Sequence, residues 1–150
     1  MEDCIFCKIV KGEIESIKIW EDQNFLAILD VHPNTEGMTL ILTKEHYDSY
    51  VFKMPEDIYS KFMFVAKKVS RILEKGLGVN RVAIVMEGMG INHAHLKLYP
   101  LHGVKQEFQE MWAEKEVYFD EYKGYISTQL GPKKSMEELK KTAEKIRGEL

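Results

Sequence analysis

The chain of 150 residues has few of the features that mark membrane, secreted or nucleic-acid-binding proteins. No apolar run approaches the roughly 20 residues that a membrane helix needs. Its 21 basic residues are outnumbered by 24 acidic ones, for a formal net charge of -3. A general attraction to nucleic acid or to an anionic membrane is therefore not expected. The acidic start, Met1 to Cys4, does not resemble a signal peptide. We expect a cytoplasmic protein that uses neither a membrane nor nucleic acid as its partner.

Cysteine is also scarce, because the chain has only Cys4 and Cys7. In a reducing compartment, such a pair serves as thiols or metal ligands more often than as a structural disulfide. The Cys-x-x-Cys spacing is typical of metal and redox sites. Two small apolar side chains buried on one helical turn would explain it equally well. A zinc ion would need two further ligands to complete a tetrahedron.

The hydrophobic periodicity predicts an ordered run of strands and one long helix. The length of the chain fits one domain with a real core. The helix is predicted to start after Met54 and to stop at Gly76 and Gly78. The strands are predicted at 17–21, 25–30, 37–43, 81–86 and 93–100, the first two forming a hairpin.

The last third of the chain has a different character. Residues 105–123 are rich in aromatic and acidic side chains, and Tyr125–Thr128 is a candidate for a small extra strand. Ser135 and Glu138 have the spacing of a capping box, which predicts a final helix from Ser135 to about Leu150. We assign residues 1–104 to the main domain and 105–150 to a C-terminal helical extension packed on the same domain.

The stretch from His93 to Pro100 is the strongest candidate for chemistry. On a strand, His93, His95 and Lys97 project from one face, and the apolar residues between them project from the other. We expect the apolar face to pack on the core and the nitrogens to line an open face, where they would suit an anionic ligand such as phosphate. The alternative is an ordinary polar face on a half-exposed strand.

Several short motifs, taken together, resemble the histidine triad family over about residues 3 to 101. They are Cys4-Ile5-Phe6-Cys7-Lys8-Ile9, Gly12-Glu13-Ile14, Asp30-x-x-Pro33, Gly37-x-Thr39-Leu40, Lys44-x-His46 and His93-x-His95. The resemblance implies an α+β fold, with a meandering antiparallel sheet of about five strands, one long helix and a shorter one. It also implies a homodimer whose sheets join, and a nucleotide hydrolase or nucleotidyltransferase that acts at the α-phosphate.

The resemblance also implies roles for particular residues. The middle histidine of the triad falls on His95, which would attack phosphorus and form a covalent nucleotidyl-histidine, with His93 and Lys97 beside it. Asp30 falls where the family binds the ribose hydroxyls, although an aspartate that merely starts a turn is an equal alternative. Asn92 is a candidate for phosphate contact. Phe6 and Ile9 are candidates for the base slot, from a pool completed by Ile5, Trp20, Phe25, Ile28 and Leu40.

A structural zinc site is implied by the same resemblance. Its ligands would be Cys4, Cys7, His46 and His93, a closed Cys₂His₂ set. His46 could instead be an ordinary surface histidine.

Three departures from the family pattern bear on activity. Lys97 stands where the triad has its last histidine, Met38 stands where the family has histidine, and Gly90-Ile91-Asn92 stands where it has Gly-Gln-Ser/Thr. A catalytically weak protein that binds or senses a nucleotide is therefore the main alternative to an enzyme. A nucleic-acid end-processing enzyme and a zinc-stabilised scaffold are further hypotheses.

Overall fold

The computed structural model describes residues 3–148, and its described part contains one five-stranded antiparallel sheet. The strands lie in the order β1-β2-β3-β5-β4. In chain order they are β1 Lys18–Glu21, β2 Phe25–Leu29, β3 Thr39–Thr43, β4 Val82–Val85 and β5 His95–Pro100. The helices are α1 Ile5–Val10, α2 Glu56–Leu77 and α3 Met136–Arg147, with a 3₁₀ turn at Val51–Lys53. This architecture confirms the α+β prediction. No helix within residues 3–148 has the length and apolar character to cross a membrane.

The long helix α2 covers one face of the sheet with a stripe of side chains. It follows Pro55 and carries Glu56 and Asp57 in its first turn, where acidic groups favour the helix dipole. It continues through Gly76 and ends at Gly78, whose φ of 66° is left-handed. The predicted stop at Gly78 is therefore confirmed and the one at Gly76 was wrong, because of the two glycines only Gly78 adopts the left-handed conformation that ends a helix. The buried stripe is Phe62, Val65, Ala66, Val69 and Leu73.

The helix-facing side of the sheet supplies the rest of the main core. Phe25 stacks on Phe62 with ring centroids 5.3 Å apart. Alternate residues of the central strands join them, namely Ala27, Ile41, Leu96 and Leu98. Burial of this stripe is the main source of helix stability, because isolated helices are marginal in water.

The opposite face of the sheet is covered as well. Phe6 of the short helix α1 is buried in a second cluster with Leu26, Ile28, Leu40 and Leu42. All five residues of β3 are buried, as expected for a strand that is covered on both faces.

Two compact units can be distinguished along the chain, Met1–Phe108 and Gln109–Leu150. The first contains the whole sheet with α1 and α2, and the second contains α3. In α3 the predicted capping box is confirmed, because Ser135 and Glu138 bond each other's backbone and side chain reciprocally. The predicted strand at Tyr125–Thr128 was wrong. Tyr125 and Ile126 are both more than half exposed, so the segment has no buried face of the kind that specifies a strand.

Candidate active site and metal site

The two histidines of the His93-x-His95 motif lie at the start of β5, beneath α1. Strand β5 begins at His95, and His93 precedes it. Their exposed fractions are 0% for His93 and 5% for His95. The Phe6 ring stands edge-on to both imidazoles, with centroids 5.9 Å from His93 and 5.1 Å from His95. The expectation of an open face was therefore wrong at this end of the strand, because α1 packs over it.

A hydrogen bond to the backbone holds the His95 imidazole in one tautomer. Its Nδ1–H donates to the carbonyl oxygen of His93 at 2.6 Å. This assignment leaves the lone pair on Nε2, the nitrogen that points away from the strand backbone. Burial lowers the pKa of His95, and the charge of Lys97 lowers it further. The hydrogen bond to His93 and the charges of Glu87 and Asp30 oppose that shift.

Lys97 pairs with a carboxylate that the sequence did not single out. Its Nζ lies 3.9 Å from Glu87 Oε1, and both side chains are mostly buried. The β4–β5 register places Val85 opposite Lys97, and Glu87 follows two residues later. Period-two spacing from Val85 into the glycine loop, Glu87-Gly88-Met89-Gly90, was the signal that could have identified Glu87.

Tyr99 continues the same face of β5 beyond Lys97 and was also missed by the sequence reasoning. Burial raises the pKa of its phenol, and the negative charges of Asp30 and Glu87 raise it further. The same two carboxylates act on His95. The site is therefore one group of electrostatically interacting side chains, namely His95, Lys97, Tyr99, Asp30 and Glu87. If the period-two pattern of His93, His95 and Lys97 had been extended by two residues, it would have predicted that Tyr99 lies on the same face of the strand.

Asp30 and Asn92 both accept hydrogen bonds from loop backbone. Asp30 Oδ1 accepts from the backbone N–H of His32 at 2.8 Å, the geometry of an aspartate that starts a turn. Asn92 Oδ1 accepts from the backbone N–H of Ser49 at 3.0 Å. Its carbonyl oxygen thus anchors a neighbouring loop and leaves the NH₂ group as the donor for any ligand.

Position 88 in the glycine loop requires a residue without a side chain. The φ of Gly88 is +69°, and a Cβ atom there would stand 2.7 Å from the carbonyl oxygen of Ser49. Both facts exclude an ordinary side chain. The loop that contains Glu87 and Gly88 therefore packs closely against the backbone at Ser49, the residue whose N–H bonds to Asn92.

The pool of candidate base-slot residues divides between the two faces of the sheet. Phe6 is buried on the His95 side, and Ile9 packs against the same cluster. Ile28 and Leu40 lie there too, and Ile5 is 44% exposed on α1. Phe25 and Trp20 belong to the core under α2 instead. Strand alternation turns these two side chains away from the histidines of β5.

The four predicted metal ligands come together from three parts of the chain. One ligand atom from each of Cys4, Cys7, His46 and His93 lies within 4.8 Å of all the others. His93 Nδ1 is 3.4 Å from Cys4 Sγ and 3.5 Å from Cys7 Sγ. His46 Nδ1 is 3.2 Å from Cys7 Sγ. Sulfur and nitrogen ligands of a tetrahedral zinc ion lie about 3.5 Å apart, given Zn–S of about 2.3 Å and Zn–N of about 2.0 Å. The cluster could therefore hold a metal ion.

The protonation of His93 suits a metal ligand. Its Nε2–H donates to the carbonyl oxygen of Thr43 at 2.7 Å, so the Nδ1 lone pair faces the cysteines. A carbonyl that fixes the second ring nitrogen in this way is usual for metal-bound histidine. Burial raises the pKa of the Cys7 thiol, and neighbouring Cys4 raises it further. Two thiolates here would need a cation, and the donor set is one that zinc prefers.

Comparison with known proteins identifies the family. The HIT domain model matches residues 11–103. An uncharacterized HIT-like protein of Methanocaldococcus jannaschii is 36% identical over 79% of this chain and 94% of its own length. The chain belongs to the HIT family.

Two further relatives have names that state an activity. An adenosine 5′-monophosphoramidase of Candida albicans is 31% identical over 78% of this chain and 82% of its own length. An adenylylsulfatase of Arabidopsis thaliana is 28% identical over 77% of this chain and 58% of its own length. At the level of the family, relatives of this chain are thus nucleotide hydrolases.

Solved structures show the same fold. A protein of Streptococcus mutans matches with a TM-score of 0.71 and 29% identity, over 99% of this chain and 86% of that one. A zinc-bound histidine triad family protein of Mycobacterium smegmatis matches with a TM-score of 0.60 and 32% identity, over 73% of this chain and 84% of that one.

Proposed function

We propose that this protein is a nucleotide hydrolase or nucleotidyltransferase that acts at the α-phosphate through a covalent bond to His95. The observation that carries the proposal is the hydrogen bond from His95 Nδ1–H to the His93 carbonyl. It fixes the imidazole in the tautomer whose Nε2 is a nucleophile. The lowered pKa of His95 keeps that nitrogen unprotonated at neutral pH.

The reaction has two displacements at phosphorus. Neutral His95 attacks with Nε2, so a P–N bond forms as the bond to the leaving group breaks. The ring keeps its Nδ1 proton and becomes cationic, and the His93 carbonyl stabilises that charge. Water or an acceptor hydroxyl then attacks phosphorus and loses its proton, and the P–N bond breaks to restore neutral imidazole. A covalent intermediate divides one difficult displacement into two easier ones.

The nucleotide contacts follow from the same face of the sheet. Asp30 acts on His95 electrostatically, which supports its assignment to the ribose hydroxyls. Phe6 and Ile9 lie on the His95 side and would supply apolar surface for the base. The NH₂ group of Asn92 remains to donate to a phosphate oxygen. The two relatives named for activity on adenylyl compounds support a nucleotide derivative as the substrate.

The test is a comparison of the wild-type chain with His95→Ala. Intact mass would be recorded after a mildly alkaline quench, while free nucleotide is followed in the same samples. We expect a transient nucleotidyl adduct and nucleotide release in the wild type. His95→Ala should lose the adduct and at least about 10³-fold in rate, as when other catalytic nucleophiles are removed.

The matched control is His102→Ala. His102 is exposed and donates from Nε2 to the Glu36 carbonyl, so its removal should leave the activity unchanged. Nucleotide binding without adduct or release in the wild type would contradict the enzyme. That outcome would support the second candidate, a nucleotide-binding or sensing protein, which is favoured by Lys97 in place of an imidazole.

We also propose that the metal cluster holds a structural zinc ion. Four ligands close the coordination shell, so no position remains for substrate. The ion would link α1, the segment after β3 and the start of β5. The zinc-bound relative of Mycobacterium smegmatis supports zinc as the metal. Two thiols kept reduced for that purpose fit the cytoplasm.

A homodimer completes the proposal. Strand β4 is at one end of the sheet, where within residues 3–148 it pairs with no strand other than β5. Ile84 on this strand is 41% exposed, and Phe64 of α2 is 72% exposed. Pairing of β4 with its copy would satisfy the edge and cover apolar surface.

A further inference from the structure

The charged groups around His95 bear on which leaving group the site accepts. Lys97, Glu87 and Asp30 all act electrostatically on the His95 imidazole, and Lys97 is the cation among them. On a strand, residues two apart share a face and are separated by about 7 Å. The long Lys97 side chain therefore operates on the same face as the Nε2 that would attack phosphorus.

Lysine and histidine differ at this position in what they do with a proton. Imidazole, with an ordinary pKa of about 6.5, exchanges its proton near neutral pH, whereas the ammonium of a lysine, with an ordinary pKa of about 10.4, keeps it. The Lys97 ammonium also forms an ion pair with Glu87, with Nζ 3.9 Å from Oε1. Lys97 is thus suited to neutralise negative charge and poorly suited to donate a proton.

Leaving groups also differ in whether they need a proton in order to depart. When a phosphoanhydride or a phosphosulfate is split, the P–O bond breaks and phosphate or sulfate departs as a stable anion that needs no proton. When a phosphoramidate is split, the P–N bond breaks and the nitrogen must gain a proton to depart as an amine. A general acid contributes about 10²–10⁴-fold to such a step, whereas a fixed cation favours the departing anion.

We propose that the Lys97–Glu87 pair makes this site selective for nucleotide anhydrides, whose leaving group is an anion, against nucleotide phosphoramidates. The inference rests on the proposed function, since it concerns the leaving group of the same His95 displacement. In the first step His95 Nε2 bonds to phosphorus, the P–O bond breaks, and the anion leaves with its charge balanced by Lys97. Water then releases the nucleoside monophosphate from His95. Relatives with names for each kind of substrate exist, so the choice must be made by the residues of each chain.

The experiment compares adenosine 5′-phosphosulfate with adenosine 5′-phosphoramidate, which share the nucleoside and differ in the leaving group. The quantity measured is the ratio of their kcat/KM values. Within one preparation, this ratio cancels the fraction of folded protein. The guanosine pair would be measured in parallel, so that base preference does not hide the result.

The variants separate charge from proton donation. We expect the wild type to favour the phosphosulfate, and Lys97→His to lower the ratio about 10²-fold by restoring a proton donor. Lys97→Arg keeps a cation and should change the ratio less than about threefold. Lys97→Met should lower the ratio by slowing the phosphosulfate. Lys61→Met is the matched control, since Lys61 is exposed and pairs with Asp57 on α2, which covers the face of the sheet opposite His95.

Failures of the two proposals are distinguishable. A wild type that favours the phosphoramidate, or a ratio unchanged in Lys97→His, would overturn the selectivity while His95-dependent turnover still supported the enzyme. No release and no His95 adduct from any of the four compounds would overturn the proposed function and this inference with it.

Discussion

At the scale of single residues, two influences on His95 act on different properties of the same ring. The His93 carbonyl decides which nitrogen carries the proton, and burial together with Lys97 decides how easily a second proton binds. With the hydrogen bond to His93 alone, the ring would be correctly oriented but protonated at mildly acidic pH. The hydrogen bond and the lowered pKa together keep His95 a neutral nucleophile over a wider pH range.

This leads to a prediction about pH. The pKa of His95 is lowered from its ordinary value of 6.5, so the neutral form persists below that pH. We expect the acid limb of kcat/KM to have its midpoint below 6.5, because that limb reports the nucleophile in the free enzyme. Lys97→Met removes a neighbouring positive charge and should move the midpoint upward. A full pH–rate profile with adenosine 5′-phosphosulfate is the measurement.

The control for the profile is Lys61→Met, which should leave the midpoint unchanged. A wild-type midpoint at or above 6.5 would contradict the effect of burial and of Lys97 on His95.

At the scale of elements, the N-terminal segment has more influence than its length suggests. Helix α1 has six residues, too few to be stable alone. It is held by the burial of Phe6 and by two cysteines that approach His93. The same helix covers His95, so its attachment affects both stability and the site.

We therefore predict that zinc removal and Cys7→Ser loosen α1. Metal analysis should find one zinc per wild-type chain and much less in Cys7→Ser. A metal present at about 1,000 times its Kd stabilises a protein by about 4 kcal/mol. We expect the Tm to fall by about 10 °C or more in Cys7→Ser or with a chelator. Amide hydrogen exchange should show the loss of protection at Phe6 first.

His102→Ala serves as the control and should keep both its zinc and its Tm. Retention of zinc by Cys7→Ser, or a Tm insensitive to a tight chelator, would contradict the metal site.

At the scale of the whole molecule, the sheet ends in two edge strands. Strand β1 ends one edge and β4 ends the other. Ile84 on β4 pairs with Leu98, which faces α2, so its exposed side chain lies on the helix-covered side of the sheet. An edge with exposed apolar neighbours favours pairing with another chain.

The prediction is that Ile84→Arg prevents dimer formation. Light scattering coupled to size exclusion should give twice the chain mass of 17.5 kDa for the wild type and one chain mass for the variant. A buried arginine without a partner would cost more than the interface gains.

Ile17→Arg is the matched control, because Ile17 is 60% exposed next to the other edge of the sheet. It should leave the mass unchanged. A wild-type mass of one chain would contradict the dimer.

The sequence by itself determined much of the frame. The 3.6-residue period specified α2, and short alternating or continuous apolar runs specified five strands within a few residues at each end. The order of motifs identified the family, and the four metal-ligand candidates proved to be neighbours. These features depend on neighbouring residues or on the order of motifs along the chain, so they can be predicted from the sequence.

Only the tertiary structure decided what covers β5 and what pairs with Lys97. The burial of His93 and His95 depends on α1, whose Cys4 meets His93 across 89 positions of sequence. Glu87 reaches Lys97 because β4 and β5 pair in one particular register. The failed strand at Tyr125–Thr128 has the converse cause, since its side chains are exposed and meet no buried surface. Such contacts are set by long-range packing and strand register, which periodicity does not encode.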